Sequence, residues 1–214
     1  PDPDEEISDQ EWEIRTGTAI YILQSTLPDF FKTGLISSLD TPVLPRKDSA
    51  PVSEVEYKSE SIYSPRIRLE YTPPVPLPAP FPRTLSIEGL HLYIASSVFM
   101  RHTMNALYTD LDVEIRRVRV HGPRSFKASG SGSDVKKVRS SREKSFFVGL
   151  VVTGAGRVSK AKTEWEVNCT YHFSPVTGQI QLHTVDSIEP PPTQSLFEAL
   201  GRFGLLGGSS GNFK

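Results

Sequence analysis

The sequence predicts an α+β fold, with helices gathered on one face of a strongly bent antiparallel sheet. Three observations carry this. Residues 163–190 read as two long strands joined by a tight turn. Two further strand patterns, over 112–121 and 145–153, precede that hairpin, so the second half of the chain is a run of strands. Extended helical periodicity falls ahead of them, over residues 9–31 and 89–108.

Taken in order, residues 1–8 form an acidic lead-in expected to be disordered. Residues 1–14 carry seven acids (Asp2, Asp4, Glu5, Glu6, Asp9, Glu11, Glu13) and no base. A helix is expected from Ser8 or Asp9, with Asp9 capping and Glu11 and Glu13 in the first turn. Trp12, Ala19, Leu23 and Leu27 make its stripe, widened by Ile20, Phe30 and Phe31. Pro28 ends the regular part or opens a second short helix, and Gly34 closes the segment. Residues 40–60 read as a Pro-bearing polar loop.

Residues 61–71, SIYSPRIRLEY, read as a strand, and Pro65 argues for an edge position or a bulge. Residues 73–82 hold six prolines in ten: a stiff polyproline connector, or a recognition segment for a Pro-binding domain. Residues 85–88 are a short extended lead-in to the helix over 89–108. That helix draws its apolar face from Tyr93, Val98, Met100, Met104, Leu107 and Tyr108, with Arg101 and His102 beside it.

The strand over 112–121 slips phase. Val113 and Ile115 face one way by parity, Val118 and Val120 the other. One extra residue near Arg116 and Arg117, a β-bulge, repairs this. Residues 122–144 are a Ser/Gly/basic insertion with seven bases and two acids, expected to be flexible. Residues 145–153, SFFVGLVVT, are apolar throughout, the pattern of a strand buried on both faces or lining a curved sheet.

In the final hairpin Trp165, Val167, Cys169, Tyr171 and Phe173 alternate with Glu164, Glu166, Asn168, Thr170 and His172. Residues 174–178, SPVTG, supply the turn. Ile180, Leu182 and Thr184 then share one face, and Gln181, His183 and Val185 the other. The single domain runs over 9–190. A C-terminal helix is expected over 191–206, opened by the capping box Ser195–Glu198 with Leu196, Leu200 and Phe203 on one side. Residues 207–214 form a tail expected to be disordered.

A net charge of −1 points to neither nucleic acid nor a membrane surface. The lone Cys169 excludes an internal disulfide, and its inward phase reads as a buried structural thiol. No apolar run approaches the ~20 residues that cross a bilayer. The five histidines (His91, His102, His121, His172, His183) are scattered, with no metal-ligand spacing. SGSGSD over 129–134 lacks the Lys-Ser/Thr of a phosphate loop, and GAGR over 154–157 lies between strands. The expectation is therefore no metal and no cofactor.

LPDFF (27–31), SIYSPRIRLEY (61–71), IEGLHLYIASSVFMRHTMNAL (87–107) and WEVNCTYHFSPVTGQIQLHTVDSIEP (165–190) resemble the nuclear transport factor 2-like superfamily. They look like its organellar branch of fungi and plant plastids, whose closing pattern falls here on Gly178, Ile180, His183 and Asp186. The blocks cover roughly half the chain. The resemblance implies a cone-shaped barrel: a curved sheet wrapped around the N-terminal helices and open at one end. It also implies a mitochondrial location, the alternative being cytoplasmic. The basic insertion and the Pro-rich segment depart from the pattern, so relatives say nothing of partner surfaces here.

Such cones hold a pocket, and some superfamily members are dehydratases or isomerases using Asp, His or Tyr. On that footing the catalytic candidates are His183, Asp186 and Tyr63. The ligand-binding candidates are Tyr63, Arg101, His102, Trp165 and His183. His183 and Asp186 are three apart, so on a regular strand they face opposite ways and form no pair. Arg101 beside an apolar face reads more simply as snorkelling or pairing with a carboxylate. Lys136, Lys137, Arg139 and Arg142 are the nucleic-acid candidates, but Phe126 is the insertion's only aromatic, too thin for base stacking. The leading expectation is a non-catalytic binding or scaffold module for a small apolar ligand or a protein partner, with a homodimer possible through the polar sheet face. An enzyme and an RNA-associated protein are the alternatives.

Overall fold

The computed structural model describes residues 7–38, 61–76, 82–122 and 142–191. The expected loop over 40–60, most of the basic insertion, the C-terminal helix and the tail lie outside the described residues.

Helix α1 (Asp9–Thr26) begins where Ser8 Oγ accepts the amide of Glu11 at 3.2 Å. Ser8, not Asp9, is thus the cap, because the Asp9 carboxylate is taken up by Arg142. The helix buries Trp12, Thr16, Ala19, Ile22 and Leu23. Pro28 is the second residue of a 3-10 turn (Leu27–Asp29), within its first turn, where its missing N–H costs nothing. A four-residue α2 (Phe30–Thr33) follows, and Gly34 ends it at φ +85°.

The strands are β1 (Tyr63–Tyr71), β2 (Leu85–Glu88), β3 (Tyr108–His121), β4 (Ser145–Gly156), β5 (Lys162–Phe173) and β6 (Ile180–Glu189). Helix α3 (Leu90–Leu107) links β2 to β3. They form one sheet in the order β2-β1-β6-β5-β4-β3. The fold is α+β, as expected, with two corrections. The sheet is mixed, because β1 runs parallel to β6. It is also open rather than a closed barrel, with β2 and β3 as its edges. Instead of hydrogen bonds between those edges, α3 touches β1, β2 and β3.

Bulges decide which side chains face the core. On β3, Ile115 pairs with Leu150 and Arg117 with Gly149, so Arg116 is the extra residue. Val113, Ile115, Val118 and Val120 then all lie opposite Val152, Leu150, Val148 and Phe146, as the phase slip required. A second shift between Thr109 and Asp112 contains Asp110, at φ 53°. On β6, Phe173 pairs with Ile180 but His172 pairs with Leu182, so Gln181 is extra. This corrects the expected faces of that strand: Ile180 shares the core side with His183 and Val185. Pro65 sits within the shift between Tyr63 and Arg68, but β1 is an interior strand, not an edge.

The core lies between α1, α3 and this sheet face. It contains Ile22, Leu23, Tyr63, Ile67, Tyr93, Phe146, Val148, Cys169, Tyr171, Phe173 and Ile180. Of the apolar face expected for α3, only Tyr93 is buried, while Val98, Met100 and Leu107 are exposed. A helix with apolar residues on more than one side cannot cover all of them against a single sheet.

Candidate functional site

β6 brings His183 level with Tyr171 on β5 and with Leu69 on β1. The Tyr171 ring stacks on the imidazole at 4.2 Å and 21°. From above, Tyr93 in the first turn of α3 sets its hydroxyl 3.0 Å from His183 Nδ1. The Tyr93 ring is also 5.2 Å from that of Tyr63, which is fully buried at the start of β1. Cys169 lies two residues before Tyr171 on the same inward face. Three phenols, one imidazole and one thiol thus sit together in an otherwise apolar interior.

Two polar atoms of this cluster are buried with no hydrogen-bond partner among the described residues: Tyr63 Oη and His183 Nε2. The Tyr93 hydroxyl acts as a hydrogen-bond donor toward Tyr63 and holds that phenol down against the larger upward push of burial, although the two hydroxyls do not meet in good hydrogen-bond geometry. An unmet buried donor or acceptor costs about 1–3 kcal/mol.

Burial holds every member of the cluster neutral. It lowers the His183 imidazolium to about 3, because Nε2 is out of water and a cation there loses its hydration, although the residue as a whole is half-buried. It pushes the Cys169 thiol up to about 12, with the negative charge of Asp186 adding to the effect. The phenols of Tyr63, Tyr93 and Tyr171 are raised by the same desolvation.

The other sequence candidates are elsewhere. Asp186 is the extra residue at a second β6 bulge and turns outward, accepting from Thr170 Oγ1 at 2.6 Å. It forms no dyad with His183. Arg101 donates from Nε to the Phe31 carbonyl at 3.1 Å and from its NH2 group to the Lys32 carbonyl. It therefore caps α2 rather than binding a ligand. His102 is exposed on α3. Trp165 packs edge-on to Tyr108 with centroids 5.0 Å apart, six residues along β5 from Tyr171 and so about 20 Å away.

Of the nucleic-acid candidates, Lys136, Lys137 and Arg139 lie outside the described residues. Arg142 is buried and engaged: it donates to Asp9 Oδ1 at 2.5 and 2.8 Å, to the Ile7 carbonyl at 3.0 Å and to the Pro175 carbonyl at 3.3 Å. That occupied guanidinium is a poor phosphate contact. Among the described residues no group of three His, Cys, Asp or Glu side chains could hold a metal ion. No described helix is long and apolar enough to cross a membrane.

The sequence reading placed Tyr93 and Tyr171 only as core residues. The signal available was that each is a tyrosine on an inward face, where a hydroxyl needs a partner.

No protein-family model matches the sequence, and no curated protein matches it. A solved structure from Bacillus subtilis, named “Putative Isomerase”, is similar over 83% of this chain and 87% of that one, at 10% identity and a TM-score of 0.34. A likeness of that size carries no argument about fold or activity.

Proposed function

We propose that this protein is a binding module that holds a small organic molecule against the inner face of its sheet through Tyr63 and His183. One observation supports this above the rest: Tyr63 Oη and His183 Nε2 are buried without partners in one tyrosine-rich cluster. Binding fits better than catalysis. An imidazole with a pKa near 3 is a weak base at neutral pH, and no carboxylate orients it.

Native mass spectrometry of the protein purified from its source tests this reading. A reproducible small mass on the wild-type chain that is lost in His183→Phe supports it. A bare chain in both overturns it.

The isomerase or dehydratase alternative has one observation in its favour: two of its three candidates, Tyr63 and His183, face the same interior. The third, Asp186, faces away. Membership of the nuclear transport factor 2-like superfamily and a mitochondrial location are part of the proposal, and both rest on the sequence blocks. Subcellular fractionation with a tagged chain tests the location, and recovery outside mitochondria removes it.

A further inference from the structure

One side of α3 carries apolar side chains that the described residues leave in the open. Tyr93 faces the core, and Arg101 and Asn105 are bound to the Phe31 and Lys32 carbonyls of α2. At about 100° per residue, Leu92, Met100 and Leu107 fall within about 80° of one another, away from Arg101 and Asn105. They are 56%, 45% and 47% exposed. The sheet beside the end of α3 is thinly covered too. Leu111, Trp165, Val167 and Ile188 pack on the core there yet stay half-buried.

The chain leaves the sheet at this same end. Glu189, the last residue of β6, pairs with Glu166, next to Trp165. The Trp165 ring meets Tyr108, which directly follows Leu107. Beyond the described residues, Leu196, Leu200 and Phe203 recur at helical spacing behind the Ser195–Glu198 capping box. Glu198 and Arg202 take the opposite side. Twelve helical residues span about 18 Å, against about 22 Å from Leu92 to Leu107.

We infer that residues 195–206 form an amphipathic helix that docks on α3, setting Leu196, Leu200 and Phe203 against Leu92, Met100 and Leu107. Only residues 192–194 separate this segment from the described chain. So short a tether holds it at an effective concentration on the order of millimolar, which a second copy in solution does not match. The contact lies at the Trp165 end of the sheet and does not rest on the binding reading.

Hydrogen exchange of the full chain, read by mass spectrometry, tests this. Amides over 198–206 should exchange at least about tenfold more slowly than in an unstructured chain. Leu200→Asp should remove that protection and leave β4 and β5 protected, while Arg202→Ser should change neither. A second measurement needs no destabilised variant. The double variant Met100→Cys, Leu200→Cys, treated with a mild oxidant, should close a disulfide within one chain, with the buried Cys169 left as a thiol. Unstructured-chain exchange over 195–206, a disulfide that forms only between chains, or protection that rises with protein concentration alongside a dimer mass overturns the inference.

Discussion

The Tyr93 hydroxyl lies 3.0 Å from His183 Nδ1, joining the first turn of α3 to the second core-facing position of β6. It is a side-chain hydrogen bond between residues 90 apart in sequence. Tyr93→Phe leaves Nδ1 buried and unmet, so urea unfolding should show a loss of about 1–3 kcal/mol. A change below about 0.5 kcal/mol would mean that water replaces the hydroxyl without cost.

His183 should make stability depend on pH in a particular window. Its folded pKa, about 3, lies below the unfolded value of 6.5, so the unfolded chain binds more protons between them. Its contribution is therefore complete above pH 6.5 and lost as pH falls toward 3, at up to about 1.4 kcal/mol per pH unit. Unfolding free energies from pH 7 to 4 should fall more steeply for the wild type than for His183→Phe. Parallel slopes would show that the imidazole reaches solvent.

Cys169 is buried and its thiol is raised to about 12. The native chain should resist a disulfide reagent at pH 8, and one equivalent should react in urea. Rapid labelling without denaturant would place the thiol at the surface.

Arg142 ties the start of β4 to Asp9, to the Ile7 carbonyl and to the turn carbonyl of Pro175. Arg142→Ala should cost about 2 kcal/mol, the scale of hydrogen bonds to a charged group. Asp9→Asn should cost less, since the guanidinium keeps its two carbonyls. Thermal melts of the two variants give the order, and the reverse order contradicts the assignment.

Gly178 closes the β5–β6 turn at φ +71°, and a Cβ there would sit 3.2 Å from Arg15 Cβ and 3.4 Å from Trp12 Cδ1 and its carbonyl. Trp12 Nε1 donates to Ser174 O in the same turn at 2.8 Å. Gly178→Ala should cost about 1–2 kcal/mol from the left-handed backbone alone. It should also red-shift Trp12 emission as the indole is pushed from its carbonyl. An unchanged spectrum with unchanged stability would refute the close packing.

Local pattern was enough for the elements and for one irregularity. The alternation in β5, the apolar run of β4 and the stripe of α1 each reflect one buried face, and a buried face leaves its period in the chain. The Arg116 bulge was legible because Val113, Ile115, Val118 and Val120 cannot share a face without an extra residue. The bulge at Gln181 left no such trace, since Ile180, Leu182 and Thr184 already alternate plausibly with their neighbours. Parity therefore put Ile180 on the wrong side relative to His183.

What the sequence by itself determined is the α+β class, the positions of α1, α3 and the long strands, and the inward phase of Cys169 and Tyr171. These depend on hydrophobic period, which is local. Only the tertiary structure decided that the sheet is mixed and open, that Arg101 caps α2, and that Asp186 turns away from His183. It also brought Tyr63, Tyr93, Tyr171 and His183 together. Those outcomes depend on strand order, bulges and helix crossing, which bring distant residues into contact by packing and leave no periodic mark on the chain.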